Sequence, residues 1–207
     1  MPPRQTAKTV RKPVRRARQA RSQATVEVIV EAAARILADK GWRGLTTNAV
    51  AQRAGVSIGS VYEYFANKQA IIDVILDRHI AQGETYIAGL ADLPAGSLTA
   101  GDIVEATVGG FIIIHRDNPK LHRVISSEVP LSENQKARVD QLRNRAISLV
   151  SRLLEGQTND PNVKASMVVD TAEALTHRWI VDEAGVPVAA ETMTNELTAM
   201  LRLYVSG

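Results

Sequence analysis

Eight basic side chains stand in the first 22 residues, Arg4, Lys8, Arg11, Lys12, Arg15, Arg16, Arg18 and Arg21, with no carboxylate among them. Net charge over the whole 207-residue chain is only +3, so the rest of it is mildly acidic. A solvated basic run of this kind suits a phosphate backbone, which it can track or enter by a minor groove. A second set of polar groups is embedded in apolar stretches further on: His115 with Arg116, then His122, Glu128, and His177 with Arg178, near Phe111 and Trp179. A few such groups in an apolar cavity are what a small-molecule site needs, although each also has an ordinary role in a core or at a surface. Four scattered histidines without a cysteine argue against a metal sensor, so no metal ligands are expected. No nucleophile–base arrangement, phosphate-cradling glycine loop or paired-carboxylate site can be read, so neither catalytic residues nor a cofactor are expected.

The most informative element lies between Gly41 and Lys68, where the periodicity is that of two short helices joined by a tight turn. Thr46 or Thr47 can cap the first helix, because a hydroxyl there accepts a bond from a free first-turn amide. Gly55 closes it, since a left-handed exit costs glycine little. Ser57 caps the second helix, which ends near Phe65. Ala51, four residues before Gly55, lets the axes approach, and Val50, Ala54, Val56, Val61 and Tyr64 supply apolar contacts. This spacing is that of a helix-turn-helix, whose second helix can enter a DNA major groove.

Ahead of this stretch a helix is expected from about Thr25 to Lys40, with Ile29, Ala33, Ile36 and Leu37 on one face and Gly41 as its stop. Residues 1–22 hold almost no large apolar side chain and are expected to be disordered when free; a transit peptide would have a similar composition. After Asn67 a long helix begins at Lys68. Breaks at Pro94, Asn118-Pro119, Pro130, Gly156 and Pro187 set off the remaining helices. Thr99 with Asp102 and Ser132 with Gln135 mark two helix starts, and Asp160-Pro161 marks a third. Gly109-Gly110 inside a helix predicts a close crossing or a bend. No segment alternates with period two for long enough to argue a strand, so the expected class is all-α with about nine helices. Val163, Met167, Ala174, Val181, Leu197 and Leu201 are candidates for a dimer seam. With 45% apolar but 4% aromatic residues, the core must be mostly Ala, Val, Ile and Leu. No apolar run approaches the ~20 residues of a membrane span.

From Val28 to Ile72 the chain resembles the TetR/AcrR family of bacterial transcriptional regulators. The matching residues are Ala32-Ala33, Gly41, Thr46-Thr47, Ala51, Ala54-Gly55-Val56-Ser57, Gly59, Val61-Tyr62, Tyr64-Phe65 and Lys68. Beyond Ile72 the likeness is one of architecture alone. Behind the basic arm (1–22) that the charge distribution marks, the resemblance implies a DNA-binding domain (23–70) and a ligand-binding and dimerisation domain (71–207). It also implies a homodimer on a palindrome-like DNA operator, a small-molecule effector, no membrane partner and a bacterial cytoplasmic location. It places DNA contacts on Thr47, Asn48, Ser57, Ile58, Gly59, Ser60, Tyr62, Tyr64 and Lys68, beside the arginines of the arm, Arg15, Arg16, Arg18 and Arg21. Lys68 and the tyrosine hydroxyls suit phosphate oxygens, and Asn48 is the side chain able to pair with an adenine edge. Ile58 and Gly59 leave base reading thin, so affinity is expected mainly from phosphates and specificity partly from DNA shape. Candidate pocket residues are Phe111, His115, His122, Glu128, His177, Arg178 and Trp179. The expected function is a ligand-responsive dimeric repressor; the alternative is an architectural DNA-binding protein or a regulator without an effector.

Overall fold

The computed structural model describes residues 13–94, 96–181 and 189–207, with side chains from Gln19 onward. The expectations for residues 1–12 and for the Pro187 break lie outside the described residues. Helix α1 (Pro13–Gly44) begins well before Thr25, so residues 13–22 are helical where disorder was expected. The physical reason is local. Pro13 presets φ at a first helical position, and the Arg, Ala and Gln residues after it are strong helix formers. Extending a helix already nucleated by packing is far easier than starting one, so an apolar face is not needed there.

At Gly41 the helical geometry breaks with φ 67° and ψ −174°, and the chain hooks into α2 (Thr47–Ala54). Thr46 caps α2 through the Ala49 amide, and Gly55 ends it at φ 69°. Ser57 caps α3 (Ile58–Tyr64) and Asn67 caps α4 (Lys68–Ala91). Both capping boxes form, Thr99–Asp102 opening α5 (Ala100–Arg116) and Ser132–Gln135 opening α7 (Glu133–Leu154). Between these lies α6 (Pro119–Ser127). Helix α8 (Pro161–Thr176) starts with proline as expected, but Asp160 sits in the left-handed region and makes no capping bond. A π-turn, His177–Val181, continues α8, and α9 (Ala190–Ser206) ends the described chain. The described residues contain nine α-helices and no strand.

Two interiors result. The first packs Ile29, Ala33, Ile36 and Leu37 of α1 with Leu45, Val50, Val61 and Phe65. It does not end at residue 70, because Ile71, Ile72 and Ile75 of α4 and Val124 of α6 belong to it. The second joins α5, α7, α8 and α9 through Val104, Val108, Val150, Leu154, Val168, Val169, Leu197 and Leu201. Val181, Leu197 and Leu201, candidates for a dimer seam, are therefore buried inside the chain's own body. Val163, Met167 and Ala174 lie exposed on α8. None of the described helices is long and apolar enough to cross a membrane.

The Gly109-Gly110 pair separates into two different positions. A Cβ on Gly110 would lie 2.4 Å from the Tyr86 ring of α4, whereas one on Gly109 would meet nothing within 4 Å. The ring is held there by its hydroxyl, which donates to the Ala106 carbonyl at 2.6 Å. Gly110→Ala is thus expected to destabilise the fold by about 1–3 kcal/mol. Gly109→Ala should stabilise it by up to ~1 kcal/mol, because only the helix propensity changes. Thermal melts of the two variants check the pair; equal shifts would contradict the crossing at Tyr86.

Candidate functional site

Two places gather the polar groups singled out from the sequence. The first is the outer surface of α2 and α3. Asn48 is exposed on α2, and Ser57, Ile58, Gly59 and Tyr62 are exposed on α3 and its cap. Tyr62 and Thr47 share a hydrogen bond at 3.1 Å, which ties the two helices together at their outer edge. The Ser57 hydroxyl accepts the Ser60 amide at 3.0 Å and lies 2.8 Å from the Ser60 hydroxyl, so both serines are already engaged. Tyr64 is half-buried against the first core, next to Val61 and Phe65. The Lys68 ammonium stands 3.6 Å from the centroid of the Trp42 ring, a cation–π contact. Arg21 is exposed on α1; the side chains of Arg15, Arg16 and Arg18 lie outside the described ones.

Trp42 is also held by Glu128. The Glu128 carboxylate accepts the Trp42 backbone amide at 3.0 Å, and a Cβ on Gly41 would come within 2.5 Å of that oxygen. The hook between α1 and α2 is therefore clasped between the end of α6 and the start of α4. Glu128, a pocket candidate from the sequence, is instead a joint between the two parts of the molecule.

The second place is a cavity of about 200 Å³ between α4, α5, α6, α7 and the π-turn. Its walls are apolar, with Leu76, Ile80, Ile87, Ile114 and Leu149 among them, and its polar groups include His79, His115, His122, His177, Arg143 and Glu173. A wider recess between α1, α4, α5 and α6 borders it and shares His79, Tyr86 and His122. All four histidines of the chain come together here. Ring centroids are 5.3 Å apart for His79–His115, 4.6 Å for His79–His122, and 4.8 Å for both His115–His122 and His115–His177. Ring nitrogens of His79, His115 and His122 all lie within 4.8 Å of one another, which makes these, among the described residues, the group able to hold a metal ion. The premise of scattered histidines fails, because four helical segments bring them to one point.

Burial disfavours the charged form of His79, His115 and His122. Burial pushes His79 below its ordinary pKa, and the nearby charge of His177 adds to this. His115 is lowered to about 4, mainly by burial; the bond between its Nδ1 and the Phe111 carbonyl, 2.7 Å long, opposes the shift. His122 is lowered to about 3 by burial and then by the other three imidazoles, with the Ile114 backbone opposing. Glu173 is raised by burial, an effect that His177 and Arg143 partly offset. Arg143 pairs with Asp170 and lies 3.7 Å from Glu173.

Of the sequence candidates, Phe111, His115, His122 and His177 line the cavity, while Glu128, Arg178 and Trp179 do not. Arg178 is exposed and Trp179 half-buried elsewhere on the π-turn. Sequence reasoning missed His79, Tyr86, Thr107, Arg143 and Glu173. His79 was findable: it falls on the inner face of α4, one residue before Ile80 and three after Leu76.

Residues 29–75 match the family described as bacterial regulatory proteins, tetR family, and residues 101–204 match the tetracyclin repressor-like C-terminal domain. The chain is 27% identical over 111 residues to the tetracycline repressor protein class A from transposon 1721 of Escherichia coli, covering 54% of this chain and 50% of that protein. It thus spans about half the length of the curated relatives it matches. In fold it is similar to a TetR/AcrR-family transcriptional regulator from Aquifex aeolicus, with a TM-score of 0.69 at 16% identity, covering 87% of this chain and 99% of that one. The regulator FadR from Bacillus subtilis, solved in complex with stearoyl-CoA, superposes with a TM-score of 0.63 at 16% identity over 87% of this chain and 98% of its own. At these identities the structural likeness speaks for the fold alone.

Histidines kept neutral by burial make stability depend on pH in a known direction. Their folded pKa values lie below the unfolded one, ~6.5, so the unfolded chain binds the extra protons. Stability is therefore complete above pH ~6.5 and is lost as pH falls towards about 4 and about 3, where His115 and His122 would at last protonate in the fold. Glu173, with its raised pKa, acts in the opposite sense. In melts with chelator present, His122→Gln is expected to flatten the fall in melting temperature between pH 6.5 and pH 4. A parallel pH profile for the variant and the parent would contradict it.

Proposed function

We propose that this chain, which belongs to the tetR family of bacterial regulatory proteins, is a dimeric repressor that leaves its operator when a small molecule fills the histidine-lined cavity. As a transcriptional regulator of this family it carries an N-terminal DNA-binding domain and a C-terminal ligand-binding domain. The observation that carries the finer reading is the course of α4. Its first residue, Lys68, rests on Trp42 beside the helix-turn-helix, and its later residues His79, Gly83 and Tyr86 wall the cavity. A ligand that prefers one setting of α4 over another shifts the population by its differential affinity. In the released state the two recognition helices no longer match successive major grooves, ~34 Å apart. A cavity of about 200 Å³ in this conformation suits a compact, largely apolar effector whose polar end meets the histidines and Arg143.

Dimerisation is assigned to the outer faces of α8 and α9. Val163 is 60% exposed, Met167 and Met200 49% each, and Leu203 78%, an apolar surface with no partner among the described residues. Asn48 is the base reader, the exposed side chains of α3 and Lys68 set position on phosphates, and the α1 arginines add sequence-independent attraction.

Gel shifts on a palindromic fragment from upstream DNA, with competitor DNA and then with candidate ligands, test the reading. Absence of sequence preference removes the repressor, and preference that no ligand relieves removes the effector. Asn48→Ala is expected to relax preference at one base pair per half-site, by about 1–3 kcal/mol of discrimination. Replacing Arg15, Arg16, Arg18 and Arg21 by alanine should weaken all sequences alike and make the salt slope shallower by up to ~4 units. Competition binding across single-base operator variants and salt concentrations separates the two; an unchanged slope leaves these arginines off the DNA. Met167→Lys combined with Leu203→Lys is expected to give a monomer by light scattering, and a persisting dimer mass would move the seam elsewhere.

A further inference from the structure

We propose that His79, His115 and His122 form a binding site for a divalent first-row transition metal, with zinc the best fit. Each comes from a different helix, α4, α5 and α6, and each offers a ring nitrogen, all three within 4.8 Å of one another. Zinc–nitrogen bonds of ~2.0–2.1 Å in a tetrahedron place ligand nitrogens about 3.4 Å apart. The widest pair therefore has to close by no more than about 1.4 Å, which ring and rotamer adjustments supply without moving a helix by a turn.

Three further features point the same way. The His115 Nδ1 is bonded to the Phe111 carbonyl, which as donor leaves Nε2 with a free lone pair. Metal-ligating histidines almost always donate their second ring N–H in this way, which fixes the tautomer and the ring's aim. The His79 Nδ1 is buried with no hydrogen-bond partner, an orphan that a bound ion or its outer ligands would satisfy. Finally, the donor set is three imidazoles with no thiolate, a chemistry suited to zinc, nickel, cobalt or copper rather than magnesium or calcium. His177 and Glu173 line the same cavity as the three imidazoles, which leaves room for water or an oxygen of a bound molecule as a fourth ligand. Occupation would draw α4 towards α6, the two helices that clasp Trp42.

The test uses the untagged full-length chain, stripped with chelator and titrated with Co²⁺ as a visible reporter. One Co²⁺ per chain is expected, with the ligand-field bands of four- or five-coordinate nitrogen ligation, displaced by Zn²⁺. His79→Gln and His115→Gln are each expected to weaken Co²⁺ binding by at least ~100-fold, beyond the usual effect of losing an outer-shell partner. A folded parent chain that shows no such bands overturns the site, and this result does not depend on any variant folding. Bands that persist at unchanged affinity in both variants overturn it equally. Because no DNA enters the measurement, the metal site and the repressor reading fail or stand separately.

Discussion

Helix α4 has to bury two different faces at once, and the rest of the molecule is arranged around that constraint. Over its first two turns Ile71, Ile72 and Ile75 close the interior under α1, α2 and α3. From Leu76 to Tyr86 the same helix offers apolar side chains and one histidine to the cavity. Gly83 lets Leu142 of α7 come against the backbone, and Gly110 leaves room for Tyr86 on α5. A helix packed this closely on both ends transmits a displacement rather than absorbing it, because dense interiors yield little.

The clasp around Trp42 makes that transmission specific. Glu128 holds its amide and Lys68 covers its ring, so α6 and α4 both end on one residue of the hook that positions α2. Gly41 is needed there twice over, for its positive φ and for the space that Glu128 occupies. Ion pairs add to the connection: Arg78 of α4 meets Glu27 of α1 at 2.9 Å, and Arg138 of α7 pairs with Asp77. These pairs are solvent-exposed, so they orient the parts more than they stabilise them.

The helix count, the caps at Ser57, Asn67, Thr99 and Ser132, and the left-handed exit at Gly55 were legible in the sequence, whereas the choice of Thr46 over Thr47 was not. Each is decided within three or four residues by side chains that bond their own backbone. Helix α1 starts earlier than apolar content alone predicts, because Pro13 and the arginines after it favour a helix by intrinsic propensity. The cap at Asp160 was misjudged because its residue type allows a capping bond that its left-handed backbone does not make. Among the pocket candidates, His115, His122 and His177 come to line the cavity, whereas Glu128 bonds the Trp42 amide.

By itself the sequence determined the kind of molecule, an all-α chain with a helix-turn-helix near its N-terminus, because periodicity, capping and turn chemistry are local properties. It also marked which surfaces are basic and which are apolar. Only the tertiary structure decided that four histidines separated by 36, 7 and 55 positions share one buried space, and that Glu128 reaches back to Trp42. It likewise decided that half of the dimer-seam candidates face inward. Which face of a helix meets which neighbour follows from how all the helices pack together, and no single helix carries that information.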